Sequence, residues 1–314
     1  MFPRRTVCLL LAYLVDSAAG EPPPPVHPVV WLGRCLDLLE GLWLPRGRPA
    51  DLFWGALSLG AVAALGWAVG HGLARRAARL PGVAGVIAEA LALKPAFAGR
   101  MLWAEALGVA DLLEGGDLAG ARNRVRSLVS RPTEGLTPGL VASAAVESVA
   151  ENLTDSVAAP LLAYLVWGLP GAYAYRAVNT ADARWGYRGR FEFFGKAAAR
   201  ADDLANLVPA RLAAAALLLA GLLWAEDPAG GFKVWKRDRG RTASPNAGQT
   251  MAAMAGLLGV RLEKPGHYVL GEGFREPTAA DIRRAAGLGR LAGRVMVAGL
   301  TALGLIMGLR GKIA

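Results

Sequence analysis

Glu147, Glu151 and Asp155 stand at i, i+4 and i+8 in the stretch Glu147-Ser148-Val149-Ala150-Glu151-Asn152-Leu153-Thr154-Asp155. A helix through them puts three carboxylates on one face, where like charges repel unless a cation sits among them. With Asn152 beside them and an apolar run to Pro160 behind, they are the oxygen-rich kind of set that takes Mg²⁺ or a cationic group. A solvated acidic face just outside a membrane is the competing reading, and the spacing alone does not choose between them.

Four further polar groups lie next to apolar sequence. In Tyr175-Arg176-Ala177-Val178-Asn179-Thr180-Ala181-Asp182, followed by Gly186-Tyr187, Asn179 and Asp182 share a helical face with Arg176 one turn earlier. Arginine offers a planar fork to phosphate or carboxylate, and Asp with Asn can hold magnesium by oxygen. An interfacial Arg176–Asp182 salt bridge is the plainer alternative. In Arg200-Ala201-Asp202-Asp203-Leu204-Ala205-Asn206-Leu207-Val208-Pro209-Ala210-Arg211, two adjacent carboxylates mark the mouth of an apolar helix that contains Asn206 and Arg211. Helix-start chemistry accounts for one Asp but not for the second, nor for Arg211, so here the functional reading prevails. Asp16, Gly20-Glu21-Pro22 and His27-Pro28 form either a ligand loop or a rigid connector; the residues alone favour the connector. Ser244-Pro245-Asn246-Ala247-Gly248 follows the basic run Lys233 to Arg241 and can turn backbone N–H groups towards an anion. It lacks the Gly and Lys pattern of a P-loop, so nucleotide binding does not follow from it. Carboxylates, amides and arginines thus recur at the ends of apolar segments. The pattern points to a polar site at a membrane surface, serving an anionic, phosphorylated substrate with a metal.

The elements that carry these groups are read from hydropathy. Of 314 residues 54% are apolar and 19% charged, against ~25% charged in ordinary globular domains, and mean hydropathy is +0.34. Leu52 to Leu73 is free of acidic and strongly basic residues, and Leu204 to Ala225 is an apolar run interrupted by Pro209 and Arg211. Val295 to Leu309 becomes a span if extended back towards Leu288. A span needs ~20 residues, so these three are expected to cross a membrane. Ser156 to Val178 is apolar but broken by Gly168-Leu169-Pro170-Gly171. Each half is too short to cross, and Gly-Leu-Pro-Gly is turn chemistry, so a re-entrant helical hairpin is expected in preference to one kinked span.

At the amino terminus, Arg4 and Arg5, Val7 to Val15 and Ser17-Ala18-Ala19 fit a cleaved signal peptide, while Asp16 and the prolines Pro22 to Pro25 fit a retained segment equally well. The formal charge of +10 is spread over Arg75, Arg76 and Arg79, Arg122, Arg124 and Arg126, and Lys233 to Arg241, and no compact motif interleaves these residues with aromatics. It is read as positive-inside topology and anionic-lipid contact, with no nucleic-acid partner. Cys8 and Cys35 make neither a disulfide framework nor a zinc spacing.

Taken in order, these blocks resemble the CobD/CbiB family of cobalamin biosynthesis. The likeness runs from Asp16…Gly20-Glu21-Pro22…His27-Pro28-Val29…Gly33 through Ala121-Arg122, Arg131, the Glu147–Asp155 and Tyr175–Tyr187 blocks, Arg200…Arg211 and Ser244–Gly248. It ends at Ala255-Gly256…Gly259 and Pro265…Tyr268…Gly271. The central blocks are specific in combination. The family usually has Arg-Asp-Thr at Arg131-Pro132-Thr133, Asp-Gly at Asp155-Ser156 and Gly-Gly at Glu263-Lys264; these departures touch local loop geometry.

The resemblance implies a multi-pass cell-membrane enzyme, adenosylcobinamide-phosphate synthase. It would be an ATP-dependent ligase joining adenosylcobyric acid to (R)-1-amino-2-propanol or its phosphate, with Mg²⁺ and ATP, and with other cobalamin-assembly proteins as possible partners. It also implies that the amino-terminal segment is retained. On this reading Glu147, Glu151, Asp155, Asp202 and Asp203 are catalytic, and Glu147, Glu151, Asp202 and Asp203 hold the metal. Asn152, Arg176, Asn179, Asp182, Arg200, Asn206, Arg211, Ser244, Asn246 and His27 bind substrates. An intramembrane prenyltransferase working on a magnesium diphosphate is one rival, and a non-enzymatic sensor or accessory protein of the same family is the other. The expected architecture is all-α and polytopic, a single membrane-embedded domain over 1–314. It has four or five membrane segments, one a Gly/Pro-broken hairpin, and helical extramembrane portions at about 74–145 and 226–287.

Overall fold

Where sequence is long, apolar and poor in charge, backbone N–H and C=O groups can only satisfy each other, and the helix does so within one segment. A computed structural model describes residues 2–23, 25, 27–187 and 189–310. Pro24, within the expected proline cluster, lies outside them. In chain order the helices are α1 (Phe2–Ala19), α2 (Pro28–Leu42), α3 (Arg48–Ala78), α4 (Gly82–Leu93), α5 (Gly99–Glu114) and α6 (Leu118–Val125). They continue with α7 (Pro138–Leu153), α8 (Ala159–Trp185), α9 (Lys196–Ala205), α10 (Leu207–Leu223), α11 (Pro228–Asp238), α12 (Ala247–Leu258) and α13 (Ala279–Arg310). A 3₁₀ turn, Lys94–Ala96, follows α4, and a π-helical turn, Thr154–Ala158, follows α7. Two short antiparallel strands, β1 (Leu262–Lys264) and β2 (Tyr268–Leu270), pair Leu262 with Leu270 and Lys264 with Tyr268.

Among the described residues the fold is all-α apart from that β-hairpin. Four stretches among the described residues are long and apolar enough to cross a membrane: Arg48–Ala78, Gly82–Glu114, Pro138–Trp185 and Ala279–Gly308. Counting α9 and α10 together as one broken span makes five. Leu52–Leu73 falls inside α3, and Val295–Leu309 inside the longer α13. Leu204–Ala225 is not one helix. Asn206 caps α9, and α10 restarts with Pro209 in its first turn, where a missing N–H costs nothing. Gly82–Glu114 falls within the portion expected outside the membrane. Lys94 is the one charge between Glu89 and Arg100, so an apolar window of spanning length fits there.

Contacts divide the chain into two units, the first 1–98, 159–206 and 297–314, the second 99–158 and 207–296. In the first, α3 lies against α8 through glycines. A Cβ on Gly66 would stand 2.6 Å from the Tyr173 carbonyl oxygen, and one on Gly70 would strike the Leu169 carbonyl. Small residues one turn apart let the two backbones approach closely, the packing mode that works when lipid supplies no hydrophobic drive. Trp43, Trp185 and Phe194 close the other end of this contact, with ring centroids 4.5 Å (Trp43–Phe194) and 4.9 Å (Trp185–Phe194) apart.

Within α8 the chain leaves helical geometry at Gly168 (φ 72°, ψ −160°), a conformation that favours glycine. A Cβ on Gly171 would lie 2.8 Å from the Ala163 carbonyl oxygen, eight residues earlier, whereas a continuous helix would set those residues about 12 Å apart along its axis. The chain therefore doubles back, as the Gly-Leu-Pro-Gly sequence predicts. The carbonyls freed at the break are not left bare: Arg5 Nη1 donates to Leu165 O (3.0 Å) and Val166 O (2.8 Å).

In the second unit, α7 and α12 are buried on nearly every side. Their Ala- and Gly-rich sequence allows this. Two carboxylates pin the surrounding loops. Asp281 accepts from Arg275, Arg284, Thr278 N and Thr278 Oγ1; Asp238 accepts from Arg237 and from Gly271 N at 2.8 Å.

Candidate functional site

Each unit holds its own buried polar groups. In the second unit Glu147 sits in the middle of α7, 4% exposed. A carboxylate so placed must find donors or lose its charge. Three elements supply them: Ser143 Oγ, one turn back, donates to Oε1 (2.6 Å); Tyr268 Oη of β2 donates to Oε2 (2.9 Å); Arg131 Nη2, from the loop after α6, donates to Oε2 (3.1 Å). The β-hairpin is itself tied to α7, since Glu263 N donates to Ser143 Oγ at 2.8 Å. Burial pushes the Tyr268 phenol far above its ordinary range, and the charges of Glu147 and Glu151 add to that, so Tyr268 remains a donor. Arg131 is 11% exposed, and its Nε and Nη1 have no hydrogen-bond partner among the described residues.

The expected single acidic face does not hold its regular form. Glu151 is exposed, and Asp155 is half-buried on the π turn, where the 3.6-residue period ends. Asn152 turns back within α7, Nδ2 donating to Ser148 O (3.0 Å) and Ser148 Oγ (3.1 Å). At the start of α10, the exposed Arg211 donates to Leu207 O and to Asn246 Oδ1 (3.3 Å), and Ser244 Oγ accepts from Asn246 N (3.2 Å). Arg211, Ser244 and Asn246, 35 residues apart at their widest, are thus brought together.

In the first unit Asp202 is the counterpart of Glu147, buried on α9. Its donors are amides. Asn179 Nδ2 of α8 donates to Oδ1 (3.1 Å) and Asn206 Nδ2 to Oδ2 (2.9 Å). Asn206 in turn accepts from Tyr175 Oη (2.9 Å), and Asn179 Oδ1 accepts from Arg176 Nη1 (3.3 Å). Arg176, Asn179, Asp202 and Asn206, named from two separate sequence blocks, therefore make one hydrogen-bonded group. Asp203 is half-buried beside it and Arg200 is exposed. Asp182 sits at the end of α8, where its carbonyl accepts from Gly186 N (2.7 Å).

The same unit contains a second group that the blocks only partly announced. His27 caps α2: its Nδ1 accepts from Val29 N (3.2 Å), which leaves the ring proton on Nε2, 2.9 Å from Glu21 Oε2. Lys94, 4% exposed, directs its ammonium at Glu21 Oε1 (2.7 Å), Asp16 Oδ1 (3.0 Å) and the Phe97 carbonyl (3.2 Å). Burial pushes the Glu21 carboxyl up, but the hydrogen bonds from His27 and Lys94 outweigh it and hold it below the ordinary range. The Asp16–His27 stretch is thus more than a connector. Lys94, Arg131, Ser143, Tyr175 and Tyr268 were not among the candidate site residues. For Lys94 the signal was a lone charge inside apolar sequence.

Among the described residues no three His, Cys, Asp or Glu side chains form a group that could hold a metal by themselves.

A family model described as CobD/Cbib protein matches residues 9–289. The chain belongs to the CobD/CbiB family. It is similar to a cobalamin biosynthesis protein CobD of Dehalococcoides mccartyi, 41% identical over 266 residues, 85% of this chain and 86% of that protein. The CobD of Klebsiella pneumoniae is 35% identical over 96% of both chains, and that of Mycobacterium tuberculosis 40% identical over 91% of this chain and 92% of its own. No solved structure matches the chain. The family match spans every candidate residue from His27 to Asn246 and also covers Asp16, Glu21, Lys94, Arg131 and Tyr268, so both units lie largely within CobD/CbiB sequence.

Proposed function

We propose that this protein is an adenosylcobinamide-phosphate synthase of the cell membrane, condensing adenosylcobyric acid with (R)-1-amino-2-propanol or its phosphate at the expense of ATP. Family membership over most of the chain supports a place in cobalamin biosynthesis. The observation that carries the chemistry is the Asp202 group, a buried carboxylate held by two amides with a second carboxylate next to it. Amides hold a carboxylate in place without cancelling its charge, and a hard oxygen donor set of this kind suits Mg²⁺. Magnesium usually takes one or two protein carboxylates and completes its shell with water and substrate phosphates, so Asp202 and Asp203 are a sufficient protein share. Bound there with ATP, it would neutralise phosphate charge.

In the reaction, a propionate oxygen of the corrinoid attacks the terminal phosphorus of ATP, giving an acyl phosphate and ADP. The amine nitrogen then attacks the acyl carbon; the amide forms, inorganic phosphate leaves, and a carboxylate takes the proton. Arg176, which donates to Asn179, would offset charge on the transferring phosphoryl group. Asn246 orients Arg211 for an anionic group in the second unit.

The test is a mass-spectrometric assay of detergent-purified protein with adenosylcobyric acid, Mg-ATP and aminopropanol phosphate, with bare aminopropanol in parallel. An ATP-dependent product with the mass of the new amide is expected. No product with either donor from folded protein, and none after cell extract is added back, would favour the non-enzymatic reading.

A further inference from the structure

Glu21 and Lys94 of the amino-terminal group of the first unit form part of the wall of a cavity of about 910 Å³. Trp31 of α2, Gly72 of α3 and Tyr173 of α8 give it an apolar body, Glu21 and Lys94 a charged end, and Arg76 a cation. The hydrogen-bond inventory decides what these polar groups have left to offer. Lys94 has committed its ammonium to Asp16, Glu21 and Phe97 O, so it has nothing to give a ligand. Glu21 accepts one bond on each oxygen, whereas a carboxylate has room for about four. It can still accept from an N–H. The Arg76 guanidinium has no hydrogen-bond or ion-pair partner among the described residues. Its five donors are open to an anion.

We infer that this cavity binds a large amphipathic acid, one that brings N–H donors to Glu21 and a carboxylate to Arg76 and lays an apolar body along Trp31 and Tyr173. The volume matches a ligand of several hundred Å³ and leaves a small amino alcohol loose. Resting on the proposed function, the inference assigns the cavity to the corrinoid acid, a macrocycle rimmed with primary amides and bearing one free carboxylate. The buried Lys94–Asp16–Glu21–His27 group then has a positioning role: it fixes the Glu21 carboxylate as an acceptor facing the cavity.

Gly72 gives a clean probe, because a Cβ there meets nothing within 4 Å and a larger side chain would fill the cavity without displacing its neighbours. Equilibrium dialysis of the full chain in nanodiscs, read by corrinoid absorbance, compares cobyric acid, which has the carboxylate, with cobinamide, which has an amide in its place. Gly72→Leu is expected to weaken both probes at least 10-fold. Arg76→Gln is expected to weaken cobyric acid about 10-fold and cobinamide less than 2-fold. Thermal unfolding of each variant alongside wild type shows that it is folded. Unchanged affinity for both probes in folded Gly72→Leu overturns the assignment, as does equal weakening of both probes by Arg76→Gln. Native mass spectrometry covers the remaining source of the same chemistry. A phospholipid that co-purifies with wild type and is lost in Gly72→Leu, with corrinoid affinity unchanged, would make this a lipid site. The two readings fail separately: an active wild type with normal KM for the corrinoid in Gly72→Leu sinks the cavity assignment alone. A wild type that binds cobyric acid through Arg76 and makes no amide sinks the synthase reading alone.

Discussion

Glu147 and Asp202 are both buried carboxylates on helices, yet they are held in opposite ways. Glu147 is matched by a guanidinium and two hydroxyls, so its group is close to neutral and its geometry closed. Asp202 is held directly by two carboxamides; the guanidinium of its group, Arg176, reaches it through Asn179, and Asp203 is its neighbour in sequence. A guanidinium bonded directly to a buried carboxylate closes its group, whereas amides fix a carboxylate in place. The difference separates a group that ties loop, helix and β-hairpin of the second unit together from the group to which the proposed function gives the metal.

The sharpest way to break this contrast is to remove charge at each place without removing shape. Asp202→Asn is expected to lower the rate of amide formation on the order of 100-fold, recovered in part by raising magnesium, with little change in unfolding temperature. Glu147→Gln should do the reverse. It leaves Arg131 buried without its counter-charge, at ~3–5 kcal/mol, while Glu147→Gln with Arg131→Met regains most of that loss. Chemical denaturation in detergent reads the second, steady-state rates the first. If Glu147→Gln proved as stable as wild type and Asp202→Asn unfolded, the roles given to the two acids would be exchanged.

A smaller effect sharpens the picture at Glu21. Its carboxyl is held below the ordinary value of 4.5, so the folded state binds fewer protons there than the unfolded one. The stability it contributes is full above pH 4.5 and is lost as pH falls through the folded pKa. Between pH 6 and pH 3 wild type should lose unfolding temperature more steeply than Glu21→Gln. Parallel curves would contradict the hydrogen-bonded carboxylate. Smallest of all, Tyr268→Phe removes one hydrogen bond to Glu147 and should cost ~1–1.5 kcal/mol, with the rate nearly unchanged.

How much of this was legible in sequence depends on the distance over which residues meet. Apolar blocks announced the helices, because the bilayer allows little else, and Gly168-Leu169-Pro170-Gly171 announced the reversal. Asp202 and Asn206, four residues apart, were readable as a pair. The β-hairpin was not foreseen: its strands are three residues each, and their place is fixed by Ser143 and Glu147, about 120 positions away. Lys94 was not singled out, since its partners Asp16 and Glu21 come more than 70 residues before it, with α3 between them in sequence. Asp155 was placed on the face of Glu147 by a helical period that the π turn interrupts.

Arg5 and the break at Gly168 carry a consequence for synthesis. The guanidinium that satisfies the carbonyls of Leu165 and Val166 emerges from the ribosome some 160 residues ahead of them. At ~5–20 residues per second, that is a wait of many seconds. During it α1 must keep a cation solvated, and once the hairpin arrives its freed carbonyls need that cation. Neither the first helix nor the hairpin is therefore complete alone, and the order in which the membrane accepts them is written into this one contact.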